Sequence, residues 1–112
     1  MPNDLPIEID CRTVQANLAR DERYLLVDCR EQDEWNLVHI DRAQLIPMSQ
    51  LAARVAELEP YRDVPIAIHC HHGGRSLRVA NWLRDQGFAQ AQSMAGGIDG
   101  WAVEIDPSLA RY

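Results

Sequence analysis

Hydrophobic positions along the chain fall into short blocks of two alternating kinds. Residues 5–9 alternate apolar and polar side chains, the pattern of a short strand. In residues 12–20, Val14 and Leu18 recur at helical spacing, with Asp10 set to cap the helix. Residues 24–28 form a compact apolar run, as expected of a strand buried on both faces. An acidic helical piece at 31–37 and a strand at 44–46, closed by Pro47, come next. Ser49 is expected to cap a helix carrying Leu51, Val55 and Leu58 and ended by Pro60. Residues 64–69 predict another strand. The spacing of Val79, Ala80 and Leu83 predicts a helix over 75–86, stopped by Gly87. A weak last strand at 91–94, a Gly96-Gly97 turn and a short helix at 98–101 complete the pattern. Residues 1–4 are expected to be loose, and 103–112 show no period, as in a tail that packs without regular structure.

Strands alternating with helices imply an α/β domain, a mostly parallel sheet with helices on both faces. At 112 residues the chain fits one domain, expected over 5–102 with a C-terminal tail at 103–112. Parallel sheets of this kind take ligands beyond the carboxyl ends of their strands. Two polar clusters stand at such ends: Asp28-Cys29-Arg30 and the stretch from Cys70 to Ser76.

Charge and composition narrow the partners. The formal net charge is −6, and all 11 basic residues are arginines scattered along the chain, so nucleic acid is not an expected partner. No run approaches the roughly 18 apolar residues of a membrane span. The first ten residues lack the basic start and apolar stretch of an export signal. Cysteines occur at 11, 29 and 70, an odd count without a C-x-x-C pair, which points to free thiols in the cytoplasm rather than a disulfide framework.

The loop His69-Cys70-His71-His72-Gly73-Gly74-Arg75-Ser76 carries the candidate chemistry. Cys70 follows a strand directly, and a helix starts shortly after it. Backbone N–H groups of a tight turn and the positive end of a helix can together cradle an anion. Gly73 and Gly74 allow the sharp backbone, and Arg75, cationic at any physiological pH, is expected to close the ring. A thiol in such a field is depressed in pKa and reactive. Adjacent residues at a strand end point to opposite sides, so the His-Cys-His-His run does not suit one metal ion, and neither metal nor other cofactor is expected.

The loop resembles the active-site loop of the rhodanese family, single-domain sulfurtransferases. Leu25 to Arg30 with Glu31, Glu34-Trp35 and His39-Ile40 resembles the family's first signature. Phe88, Met94, Gly96-Gly97-Ile98 and Trp101 resemble its closing one. The resemblance implies a five-stranded, mainly parallel sheet. It also implies a sulfur relay through a Cys70 persulfide, from thiosulfate or a persulfide to a nucleophile such as cyanide or a thiol. His71, His72, Gly73, Gly74, Arg75 and Ser76 would hold the anionic sulfur group. A protein or small-molecule persulfide is as natural a donor as a small dianion, because neutral His71 and a negative chain do little to attract the latter. The alternatives are a non-catalytic sulfur carrier or partner-docking module, and a cysteine phosphatase or arsenate reductase. Only four residues separate Cys70 from Arg75, a tighter loop than the five of related phosphatases, which favours sulfur over phosphate.

Val38 and Arg42 depart from the family, which usually has glycine at both positions. Asp28 and Arg30 are expected to anchor a strand end. Cys29 is expected to fill a buried position, with a part as resolving thiol as the second reading, since the family fold would set it beside Cys70. Cys11 is expected to be structural, and Trp35, Trp82 and Trp101 to pack in the core or at its rim.

Overall fold

A computed structural model of the chain describes residues 5–112, so the expected loose start at 1–4 lies outside the described residues. The strands are β1 (Glu8–Ile9), β2 (Leu25–Asp28), β3 (Ala43–Leu45), β4 (Ile66–His69) and β5 (Ala91–Met94). The α-helices are α1 (Cys11–Arg20), α2 (Gln32–Leu37), α3 (Leu51–Arg54), α4 (Gly74–Asp85) and α5 (Gly97–Glu104). All five strands pair in parallel in the order β1-β5-β4-β2-β3. The most apolar runs, β2 and β4, lie side by side inside the sheet, as burial on both faces requires.

Alternation along the strands splits the core in two. Leu25, Val27, Cys29, Ile66, Ile68 and Cys70 face one way, against Leu51, Leu58, Val79 and Leu83 of the α3–α4 layer. Leu26, Ala67 and Met94 face the other way, against Val14 and Leu18 of α1 and Ile98 and Trp101 of α5. The result is three layers, with the β2 and β4 carboxyl ends opening at one edge.

Some local expectations change. The first strand shrinks to two residues. Ser49 caps nothing: Pro47 leads into a 3-10 turn (Met48–Gln50), and the Ser49 hydroxyl donates to Glu31 Oε1 at 2.7 Å. Pro60 does not end the segment but sits inside a second 3-10 stretch (Val55–Tyr61). The apolar stripe of Leu51, Val55 and Leu58 survives, because it needs only one face toward the sheet and not a continuous α-helix. Val38 has φ −163°, extended backbone that needs no glycine, and Arg42 donates from Nη1 to the Leu18 carbonyl at 3.0 Å.

Asp28 and Arg30 do anchor the end of β2. Both side chains are fully buried. Arg30 donates from Nε and Nη2 to the Asp28 carboxylate at 3.0 and 2.7 Å. Its other N–H groups reach the Glu34 and Val38 carbonyls and the Tyr112 hydroxyl. All the guanidinium donors are thereby used, which is what makes a buried charge tolerable. Arg30→Ala is expected to cost about 3–5 kcal/mol, because it leaves the Asp28 charge buried and alone. Arg30→Lys should recover little of this, since an ammonium cannot reproduce the planar fork. Urea titration followed by circular dichroism checks both.

Candidate active site

Cys70 leaves the end of β4 and enters a loop that turns at Gly73 (φ 123°) into α4. The turn brings donors onto the sulfur. The Gly73 N–H donates to Cys70 Sγ at 3.2 Å, and the Ser76 N–H, in the first turn of α4, does so at 3.3 Å. The Ser76 hydroxyl lies 3.5 Å from the sulfur and 2.8 Å from the Ser93 hydroxyl on β5. Cys70 is 1% exposed, so these dipoles act in a dry setting where they count most.

A loop whose N–H groups turn inward must turn carbonyls outward, and α5 receives them. The Ile98 N–H donates to the Cys70 carbonyl at 2.8 Å and the Asp99 N–H to the His71 carbonyl at 3.1 Å. These are first-turn amides, which have no partner inside their own helix. The fit is possible only with glycine at 97. Its φ is 61°, and a Cβ there would stand 2.4 Å from the His71 oxygen and 2.5 Å from the Cys70 oxygen.

The donors hold the Cys70 thiol down, to about 4. The largest cause is the neighbouring Cys29 thiol, followed by the Ser76 hydroxyl and N–H and the Gly73 N–H; burial opposes them. Cys29 moves the other way and keeps its proton. Its S–H serves the Cys70 thiolate, and burial adds to the effect. Cys29 thus fills a buried position, as expected, and is also a neighbour of the Cys70 sulfur. Cys11 is buried elsewhere, 3.6 Å from the Ala95 carbonyl, and burial pushes its thiol up to about 11.

Arg75 does not complete the ring of donors on the sulfur. Its guanidinium clasps Glu34 through bonds of 2.7 and 2.9 Å, which hold the Glu34 carboxyl down to about 2. The pair ties the first turn of α4 to α2. His71 is half-buried and stacks on Tyr112, with ring centroids 3.9 Å apart. His72 is exposed, with Nδ1 4.0 Å from the Asp99 carboxylate. Gly74 opens α4. The fully buried His69 ring is kept neutral by desolvation. Of the tryptophans, Trp101 is in the core, Trp82 packs at its rim, and Trp35 stacks on His39.

Three groups escaped the sequence reading. Glu34 was visible only as part of a signature, Ser93 as one residue of a weak strand, and Tyr112 as the end of an aperiodic tail. Tyr112 donates to Glu34 Oε2 at 2.8 Å and accepts from Arg30 at 2.9 Å, so the tail is bound to the rim of the site.

A family model described as Rhodanese-like domain matches residues 10–104. The chain belongs to this family. A protein named Sulfurtransferase from Allochromatium vinosum is 36% identical over 103 residues, covering 92% of this chain and 94% of its own. The chloroplastic Rhodanese-like/PpiC domain-containing protein 12 of Arabidopsis thaliana is 31% identical over 113 residues, 97% of this chain. The chain spans only 37% of that longer relative. Among solved structures, a rhodanese-related protein from Thermoplasma volcanium superposes with a TM-score of 0.79 at 28% identity, covering 96% of this chain and 100% of its own. Among the described residues of this rhodanese-like domain, no helix is long and apolar enough to cross a membrane.

Two outcomes follow from the geometry. Alkylation of Cys70 by iodoacetamide should stay nearly constant from about pH 8 down to about pH 5, where an ordinary thiol loses its thiolate. It should fall only as pH drops through about 4 and the sulfur regains its proton. Mass spectrometry of the alkylated peptide reads this profile. Gly97→Ala should destabilise the chain by about 3 kcal/mol or more, through positive φ and the backbone collision together, as measured by thermal unfolding.

Proposed function

We propose that this domain is a sulfurtransferase that carries sulfane sulfur as a persulfide on Cys70. The observation that carries the reading is the pair of amide donors, Gly73 and Ser76, at 3.2 and 3.3 Å from Cys70 Sγ. They stabilise negative charge at the nucleophile, and fixed dipoles of this kind need no reorganisation as the charge moves. The names of relatives from Allochromatium vinosum and Mycobacterium tuberculosis, a Sulfurtransferase and a Probable adenylyltransferase/sulfurtransferase MoeZ, favour the same class of reaction.

In the loading step the Cys70 thiolate attacks the outer sulfur of a donor. The donor's S–S bond breaks, and the remainder leaves with the electron pair. With thiosulfate that remainder is sulfite; with a persulfide it is a thiolate. In the second step a nucleophilic acceptor, cyanide or a thiol, attacks the outer sulfur of the persulfide, and Cys70 departs as thiolate. His71, His72, Gly73, Gly74, Arg75 and Ser76 border the anionic sulfur in this reading. Gly73 and Ser76 supply N–H groups, and Arg75, paired with Glu34, fixes the first turn of α4 that presents the Ser76 N–H. The reaction needs a reduced thiol at Cys70, which suits the cytoplasm.

A carrier that only hands sulfur to a partner protein would use the same first step. Turnover measured with thiosulfate, mercaptopyruvate and a protein persulfide separates the two roles. Cys70→Ser should abolish both loading and turnover. After incubation with thiosulfate, intact-mass measurement should show one added sulfur atom on the wild-type chain and none on Cys70→Ser. Equal loading of the two would overturn the assignment.

A further inference from the structure

The second buried thiol at the site is not used by the relay described above. The Cys29 N–H donates to the His69 carbonyl at 3.0 Å, which extends the β2–β4 pairing one step beyond Asp28 and His69. Cys29 and Cys70 are therefore register partners at the ends of adjacent parallel strands. Both side chains lie on the α3–α4 face of the sheet, in the same core cluster. Adjacent strands run about 4.8 Å apart. That separation falls inside the Cα range of roughly 4.4–6.8 Å that a disulfide can span. The two cysteines are nonetheless unbridged.

The surroundings divide the space about the Cys70 sulfur. The Gly73 and Ser76 amides approach from the loop and the helix, while Cys29 approaches from the neighbouring strand. Cys29 has no exposed surface, and it sits one strand further into the core cluster that it shares with Cys70. Its reaction partner within the fold is the Cys70 sulfur, on the register-paired residue of the neighbouring strand.

We propose that Cys29 is a resolving thiol, which attacks the inner sulfur of the Cys70 persulfide and releases the carried atom as hydrogen sulfide. This rests on the sulfur-transfer reading above. The Cys29 Sγ–Cys70 Sγ bond forms and the bond from Cys70 Sγ to the outer sulfur breaks. The outer sulfur leaves with the electron pair and takes the Cys29 proton, giving hydrogen sulfide. The two cysteines are oxidised to a disulfide as the sulfane sulfur is reduced to sulfide, so no outside oxidant enters. A dithiol reductant resets the pair by thiol–disulfide exchange. The chain would then have two outlets for its sulfur: transfer to an acceptor, or reduction within the fold when no acceptor arrives.

The test loads wild type, Cys29→Val and Cys29→Ala with thiosulfate without oxygen, removes the donor and withholds any acceptor. Two variants are used because either alone could pack poorly. Wild type should release about one equivalent of sulfide per loaded chain and end two hydrogens lighter than its reduced form. Peptide mapping should then join the Cys29 and Cys70 peptides. Both variants lack the Cys29 S–H beside the Cys70 sulfur, so they are loaded for longer to the same persulfide content; from equal loading they should release sulfide at least about tenfold more slowly. A wild-type persulfide as long-lived as that of the variants would overturn this inference alone. So would sulfide release without the Cys29–Cys70 link. Failure of wild type to load at all would overturn the sulfur-transfer reading, and this inference would fall with it.

Discussion

Everything at this site depends on the direction in which a few peptide groups point. For the Gly73 and Ser76 amides to converge on one sulfur, the carbonyls of Cys70 and His71 must face away from it. Buried carbonyls need donors, and the start of α5 has spare ones. The exchange satisfies both parties, and it explains how a helix remote in the sequence holds the shape of the loop. Glycine at 97 is the steric condition for that contact.

Around this centre the charges are arranged as supports. Asp28 and Arg30 hold the end of β2 in a dry environment, and Glu34 and Arg75 brace α2 against α4 at the rim. Tyr112 touches both pairs through its hydroxyl while its ring covers His71. The arginine beside the loop is thus held by a carboxylate and not by the sulfur. Ionisation of the thiol is left to uncharged donors: the Cys29 S–H first, then the Ser76 hydroxyl and the two loop amides.

Much of the architecture was legible because buried parallel strands leave continuous apolar runs. Residues 24–28 and 64–69 are such runs, and they became β2 and β4 with only their first residues trimmed. The Cys70 loop was legible for a similar reason: glycines, a cysteine and a helix start stand next to one another in the chain. Contacts between distant residues left no such trace. Glu34 and Arg75 are 41 positions apart, and nothing local to either announces the other. The tail has no period because Tyr112 is held by specific polar bonds and one ring stack, neither of which needs a repeating pattern. Helix type between 48 and 61 was misjudged because an apolar stripe is compatible with both α and 3-10 geometry.

The dependence of the Cys70 loop on α5 has a consequence for the order in which the chain acquires its reactivity. During synthesis the cysteine emerges before residues 97–99 exist to receive its carbonyl. Until that helix docks, the Cys70 and His71 carbonyls lack the donors that they have in the finished fold. The final shape of the loop therefore arrives only with completion of the fold. In the unfolded chain that precedes it, the sulfur is an ordinary thiol, mostly protonated at neutral pH.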